Sequence, residues 1–364
     1  MVNQHSSEYL NKIAQKFVLE PIREVRALGN GNINDTFLVR LDQDQFVLQQ
    51  MNTQVFCQPQ QVMQNMWICT QHMCDRLATC QMDRRWETPQ VLFTDEHQDH
   101  YLEGDSFWRA ISFIGHSRSY DTIQSLKQAE EIGYALGLFH SLVSDLAPEK
   151  LSDTLEGFHI TPLYLQQYDR ALSNSSVTRT PEVNYCLKFV SDRQAWAHVL
   201  EDAKQAGKLQ LRLMHGDPKI NNILFDVATD KAVSVIDLDT VKPGLIHYDI
   251  GDCLRSGCNA IGEETQAWET VRFESDLCEG ILRGYLQVAK AFLTDHDYAY
   301  LFDAIRLIAF ELGLRFFTDF LNGNVYFKVN YPEHNLARAL VQFKLAESIE
   351  SQEKAICAIV EDLR

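Results

Sequence analysis

Two short stretches carry residue types at spacings that could do chemistry. One is Leu213-Met214-His215-Gly216-Asp217-Pro218-Lys219-Ile220-Asn221-Asn222-Ile223-Leu224-Phe225. The other follows closely as Val235-Ile236-Asp237-Leu238-Asp239. Moving a phosphoryl group onto a hydroxyl needs a base or orienter for that hydroxyl, together with a carboxylate and an amide to hold Mg²⁺ on the phosphates. Asp217 and Asn222, five residues apart on one loop, put a carboxylate and an amide oxygen in one cavity. A strand ending in Asp237, paired with a strand starting at Ile223, returns a second carboxylate to that cavity. The bland alternative is a simple turn at His-Gly-Asp; the agreement of spacing, flanking strands and order argues against it.

The elements that must position these residues change character along the chain. Strands are expected at residues 25–28, 36–41 and 45–51, the last two joined through Asp42-Gln43-Asp44 as a hairpin. Residues 60–77 place Val62, Met63, Met66, Trp67 and Met73 at helical spacing, which predicts an amphipathic helix with a core-packing stripe. Further strands are expected at 91–93 and 101–113. Helical patterns then dominate, at 122–143, 187–206, 264–291, 296–321 and 336–363, with a hairpin of strands 223–225 and 233–236 set among them. The reading is an α+β chain: a small mixed lobe over residues 1–114, a larger helical lobe over 115–364, and a cleft between them.

Composition limits the partners. The chain has 364 residues, 45% apolar and 23% charged, enough for one large or two medium domains with real cores. Basic residues number 33 against 50 acidic, a formal charge of −17. That excludes a basic surface for nucleic acid or anionic membranes, and it means that any bound phosphate needs local cations or Mg²⁺. Residues 1–20 lack an apolar signal-peptide core and no run approaches a membrane span, so a cytoplasmic location is expected, as a monomer or homodimer. Nine cysteines do not make a zinc pattern. Cys69, Cys74 and Cys80 are spaced by four and five residues without a second pair, and they are read, with Cys253 and Cys258, as buried free thiols.

The His-x-Asp-x-x-x-x-Asn loop and the Ile-Asp strand end resemble those of the kinase-like phosphotransferases, the superfamily of aminoglycoside, choline and sugar kinases. That resemblance implies a protein-kinase-like bilobal fold, ATP as donor and Mg²⁺ as cofactor. It implies that Asp217 is the catalytic base, that Asn222 and Asp237 are metal ligands, that Asp239 is a further metal-site carboxylate, and that His215 braces the loop. Gly29-Asn30-Gly31-Asn32-Ile33-Asn34-Asp35-Thr36 lies between two predicted strands, where kinases fold a loop over the phosphates; Gly29, Gly31 and Asn32 are the candidate contacts. The chain departs from kinases on the third strand, where Gln49 and Gln50 replace the usual Lys, and Gln64 stands where the helix Glu is expected. Lys219, with metal, is the candidate for the missing positive charge, and Arg255 a more distant one.

A narrower resemblance covers most of the chain. Residues 236–245, Tyr248-Asp249-Ile250-Gly251-Asp252-Cys253-Leu254-Arg255, Glu311-Leu312-Gly313-Leu314-Arg315-Phe316 and the region around Tyr326-Phe327 are similar to the N-acetylhexosamine 1-kinases. The implied substrate is a sugar phosphorylated at its anomeric hydroxyl, with Asn32, Arg255, Ser256 and Arg315 as candidate contacts beside Asp217. Ser256 and Asn32 depart from the residues common in that family and bear on acceptor identity. Asp249 and Asp252 are read as bracing groups, His140 as a core or capping residue, and Arg315 as either a buried ion-pair partner or a sugar ligand. Other small alcohols as acceptors, or a nucleotide-binding module without transfer, are the alternatives.

Overall fold

A computed structural model describes residues 6–29 and 33–364. The chain opens with helix α1 (Ser7–Ala14), capped by the Ser6 hydroxyl. Strands β1 (Glu24–Ala27), β2 (Asp35–Arg40) and β3 (Gln45–Met51) follow, then helix α2 (Pro59–Thr79). Strands β4 (Val91–Leu92), β5 (Tyr101–Glu103) and β6 (Ser106–Ser112) complete an antiparallel sheet in the order β1-β2-β3-β6-β4, with β5 pairing β6. The expected strand over 101–113 is therefore a hairpin, broken where Gly104 adopts φ +60°.

The register Thr36↔Gln49↔Arg109 puts these three side chains in one row on the face turned toward the rest of the chain. The opposite face carries Phe37, Val39, Phe46, Leu48, Trp108 and Ala110. These pack with Leu10, Ile13 and Ala14 of α1 into a small core of their own. Alternation thus separates the two neighbouring glutamines. Gln49 shares its face with Arg109, whereas Gln50 donates to Ser106 Oγ at 2.9 Å on the α1 side.

The remainder is mainly helical. It contains β7 (Ser117–Arg118), α3 (Leu126–Val143), α4 (Thr161–Asn174), α5 (Pro181–Arg193), α6 (Val199–Gln205), β8 (Arg212–Met214), β9 (Ile223–Asp226), β10 (Ala232–Val235) and β11 (Lys242–Gly244). After these come α7 (Ile246–Gly257), α8 (Ser275–Ala289), α9 (Asp295–Ala299), α10 (Leu301–Leu321), α11 (His334–Ser351) and α12 (Glu353–Leu363). One large core joins these helices to the apolar stripe of α2, where Val62, Met63, Met66, Cys69 and Met73 are buried. Helices α3 and α8 touch backbone to backbone: a Cβ on Gly133 would lie 1.8 Å from the Ile281 carbonyl oxygen, and one on Gly284 equally close to that of Glu130.

Several expected helices start late or break, for local reasons. The helix expected from 122 begins at Leu126, where the Ser125 hydroxyl accepts from Gln128 N. The single helix expected over 187–206 is α5, a short 3-10 turn and α6; α5 starts earlier because Thr180 caps it and Pro181 supplies its first residue. Over 264–274 helical periodicity misleads. Glu264 spends its carboxylate on His334 and Arg338, Phe273 N donates to Ser348 Oγ, and helix begins only at Ser275. A capping box at Thr294 starts α9 and separates it from α10, and α11 and α12 part at Gln352. Helices α1, α4 and α7 were not anticipated. Cys69, Cys253 and Cys258 are buried free thiols as expected, but Cys74 is half-buried and Cys80, just past the end of α2, is exposed. Among the described residues no helix is long and apolar enough to cross a membrane.

Candidate active site

The backbone of the loop after β8 is tightly fixed. Gly216 adopts φ +87°, and a Cβ there would come within 2.8 Å of the Thr240 carbonyl oxygen, so glycine is required twice over. Buried Asp249, on the first turn of α7, accepts from His215 N at 2.5 Å and Gly216 N at 2.8 Å. His140 of α3 touches the same carboxylate at 2.8 Å and Tyr285 Oη at 3.0 Å. Burial opposes ionisation of Asp249, yet the His140 hydrogen bond and charge and the loop amides outweigh it and hold its pKa below the ordinary value. His215 is fully buried. Its Nε2 lies 2.9 Å from the Ile236 carbonyl and its Nδ1 accepts from Asp217 N; burial lowers its pKa, so it is held neutral.

The hairpin brings the chemistry together. Val235 pairs with Ile223, and Ile236 N donates to Asn222 O at 2.9 Å, so Asn222 and Asp237 flank the same strand ends. Asn222 Nδ2 donates to the Asp217 carbonyl at 2.8 Å. Lys219 Nζ sits 2.7 Å from Asp217 Oδ2; burial opposes its charge, but Asp217 and then Asp237 raise its pKa. Asp237 adopts left-handed φ +66° at an exposed position. Desolvation, followed by the carboxylates of Asp239 and Asp217, pushes it up to about 7. Such crowding of acids suits a divalent cation.

Other candidates are placed differently. Asp239 is buried; Arg109 Nη2 lies 2.5 Å from its Oδ1, and Asn34 Nδ2 donates to its Oδ2 at 2.7 Å. Gln49 Oε1 accepts from Arg109 Nε and Nη2 at 2.9 and 2.7 Å, and Gln49 Nε2 donates to Thr36 Oγ1. Gln64, at the position where a helix Glu was expected, is exposed, and Gln49 is partnered by Arg109 and Thr36. Gln50 lies on the far face of the sheet. Gly29 ends the β1 region at φ +68°; Gly31 and Asn32 fall outside the described residues. Arg255 is buried and paired with Asp252 at 2.8 Å and Glu263 at 3.1 Å, with half-buried Ser256 beside it.

Arg315, on α10, lies within a cage of Phe158, Tyr164 and Phe327, with its guanidinium carbon 5.4, 5.0 and 5.6 Å from their ring centres. No carboxylate pairs with it among the described residues. The neighbouring acid, Glu311, is taken by His159 Nδ1 at 2.8 Å and the Thr161 hydroxyl at 2.6 Å. His159 also reaches the Gly216 carbonyl at 3.0 Å, which ties the cage to the catalytic loop. Asp319 presents the cage's outer wall: its oxygens accept from Val325 N, Tyr326 N and Phe327 N at 2.8–3.0 Å. Arg109, Asn34, His159 and Asp319 were not singled out from sequence. The polar row Thr36, Gln49, Arg109 is recognisable only once β3 and β6 are known to pair.

Residues 24–285 match the sequence profile of the phosphotransferase enzyme family (APH). This chain belongs to that family. Solved structures agree on the fold. A microcompartment-associated aminopropanol kinase is similar with TM-score 0.64 at 16% identity, over 97% of this chain and 99% of that one. Choline kinase from Cryptosporidium parvum gives 0.63 at 14%, over 98% and 99%. Spectinomycin phosphotransferase in complex with ADP and spectinomycin gives 0.55 at 13%, over 99% of both. The phosphotransferase thus has the mixed, kinase-like α+β architecture expected of it, with an N-terminal antiparallel sheet and a larger helical part.

Proposed function

We propose that this phosphotransferase moves the γ-phosphoryl group of ATP to the anomeric hydroxyl of a neutral sugar, with an N-acetylhexosamine as the acceptor. The observation that carries transfer is the meeting of Asp217, Asn222 and Asp237 at the open end of the β9–β10 hairpin. Asp217 accepts the proton of the sugar hydroxyl as its oxygen bonds to phosphorus, and ADP leaves with the electrons of the broken P–O bond. Lys219, placed between Asp217 and Asp237, holds positive charge where the phosphates arrive. Asn222 Oδ1 and the Asp237 carboxylate would hold Mg²⁺, which when bound offsets the phosphate charge; one or two carboxylates plus substrate phosphates is its usual company.

The acceptor assignment rests on Arg315. A guanidinium without a carboxylate partner, set among three aromatic rings beside the catalytic loop, repels cationic acceptors and offers fanned donors to neutral oxygens. Cationic amino alcohols, the acceptors to be expected if the pocket were acidic, are disfavoured by this charge. The experiment is acceptor-dependent ADP release from Mg-ATP across N-acetylglucosamine, N-acetylgalactosamine, other hexoses, choline, ethanolamine and an aminoglycoside, with Asp217→Asn as control. Turnover on the N-acetylhexosamines, lost in the control, supports the reading. Turnover on the cationic alcohols instead rejects the acceptor, and ATP binding without turnover on any of them rejects transfer to these classes.

A further inference from the structure

Protein kinases place a lysine on the third strand and pair it with a glutamate on the following helix. Strand β3 supplies Gln49, and α2 turns Gln64 to solvent. Where a helix acid would meet the strand cation, α2 presents Met63, whose Sδ lies 3.9 Å from Arg109 Nη1. Arg109 has been removed from water entirely, at 0% exposure. A buried charge is tolerated when it is paired and hydrogen-bonded. Here the pairing comes from the turn after β10: Asp239 at 2.5 Å, with Gln49 Oε1 accepting from Nε and Nη2. Asp239 is engaged on its second oxygen by Asn34, whose own Oδ1 accepts from Asn52 N at 3.0 Å. Both Asp239 oxygens therefore face the first lobe, while Asp237, one short 3-10 turn earlier, faces the cleft.

We propose that Arg109 is a positioning residue of the nucleotide site, joining β3 and β6 to the turn behind Asp237, and that Asp239 is its fixed counter-charge and not a metal ligand. The pair sets the distance between the sheet that covers the nucleotide and the carboxylate that receives the metal. Because α2 contributes no acid to this contact, the arrangement does not wait on a movement of that helix. This inference rests on the nucleotide-site reading above, and its test separates the two.

Calorimetric titration with Mg-ADP, together with steady-state rates at varied ATP and Mg²⁺, is made on the full chain. If the wild-type chain binds no Mg-ADP, the nucleotide-site reading itself fails. If it binds, Arg109→Met and Asp239→Asn are each expected to weaken Mg-ADP by about tenfold and to raise the KM for ATP correspondingly, the size of one buried coupling. Arg109→Lys recovers most of that loss. The double variant, with no charge left uncompensated, loses less than the product of the two single losses. The Mg²⁺ concentration for half-maximal rate stays within about twofold of wild type in Asp239→Asn, since its tie to the metal is indirect. Thermal melts restrict the comparison to folded variants; if Arg109→Met does not fold, Arg109→Lys and the double variant carry the same test. Wild-type nucleotide affinity in Arg109→Met overturns the proposal. So does a Mg²⁺ requirement raised at least tenfold in Asp239→Asn and not relieved in the double variant.

Discussion

The catalytic loop and the sheet above it are held in opposite ways. On the loop, Asp249, the Ile236 carbonyl, Thr240 and His159 converge from different elements on two consecutive residues, His215 and Gly216, and His140 holds Asp249 from behind. The sheet reaches the turn behind Asp237 through Arg109 and Asn34. The loop is over-determined, so on the proposed reading its base, Asp217, is pre-placed and costs no reorganisation when the acceptor arrives. Beyond the apolar packing of Met51, Val91 and Phe107 into the large core, the sheet meets this part of the site through that one compact polar contact. On the proposed reading, chemistry falls to the rigid side and nucleotide placement to the lighter one.

The comparison breaks most visibly at Asp217. Asp217→Asn removes the base but leaves the bracing network, so kcat is expected to fall by about 10²–10⁴ with the melting temperature nearly unchanged, checked by parallel rates and thermal melts. Asp249→Ala should do the reverse first. It strands two loop amides and His140, and is expected to cost about 3–5 kcal/mol in urea unfolding, the usual penalty for breaking a buried pair. If Asp249→Ala were as stable as wild type, the over-determined loop would be a fiction.

Smaller effects sharpen the picture. Arg315→Ala should raise the acceptor KM by about tenfold while leaving the KM for ATP alone, as expected for one charged hydrogen bond to a neutral substrate. The smallest effect concerns pH. Burial opposes charge on His159, but the Glu311 carboxylate and the Gly216 carbonyl outweigh it and raise its pKa. A raised folded pKa gives stability that is complete below the unfolded value of about 6.5 and fades as pH climbs through the folded value. The melting advantage of wild type over His159→Gln should therefore shrink from about pH 6.5 upward; a gap that widens would show the sign to be wrong.

Much of this was legible in the chain because its signals are local. The His215 to Asn222 loop and the β9–β10 hairpin follow from adjacent residues and a short polar turn, and β1 to β3 and α2 fall close to their expected positions. What escaped was non-local. Arg109 lies about sixty residues from Gln49, and their meeting depends on which strand pairs with which. Arg315 gave no sign of its aromatic cage, because Phe158 and Tyr164 come from around the start of α4, far from it and from Phe327 in the chain. Helical periodicity at 264–274 was misleading for the same reason: Phe273 and Glu264 are satisfied by α11, and the chain need not coil to bury them.

The most direct test is a crystal structure of the chain with Mg²⁺, ADP and N-acetylglucosamine. The account predicts Asn222 Oδ1 and an Asp237 oxygen within about 2.0–2.2 Å of the metal, and the sugar's anomeric oxygen within hydrogen-bond reach of Asp217, with Arg315 on the sugar. A nucleotide bound away from the β9–β10 hairpin, or a metal held without Asn222 and Asp237, would contradict it.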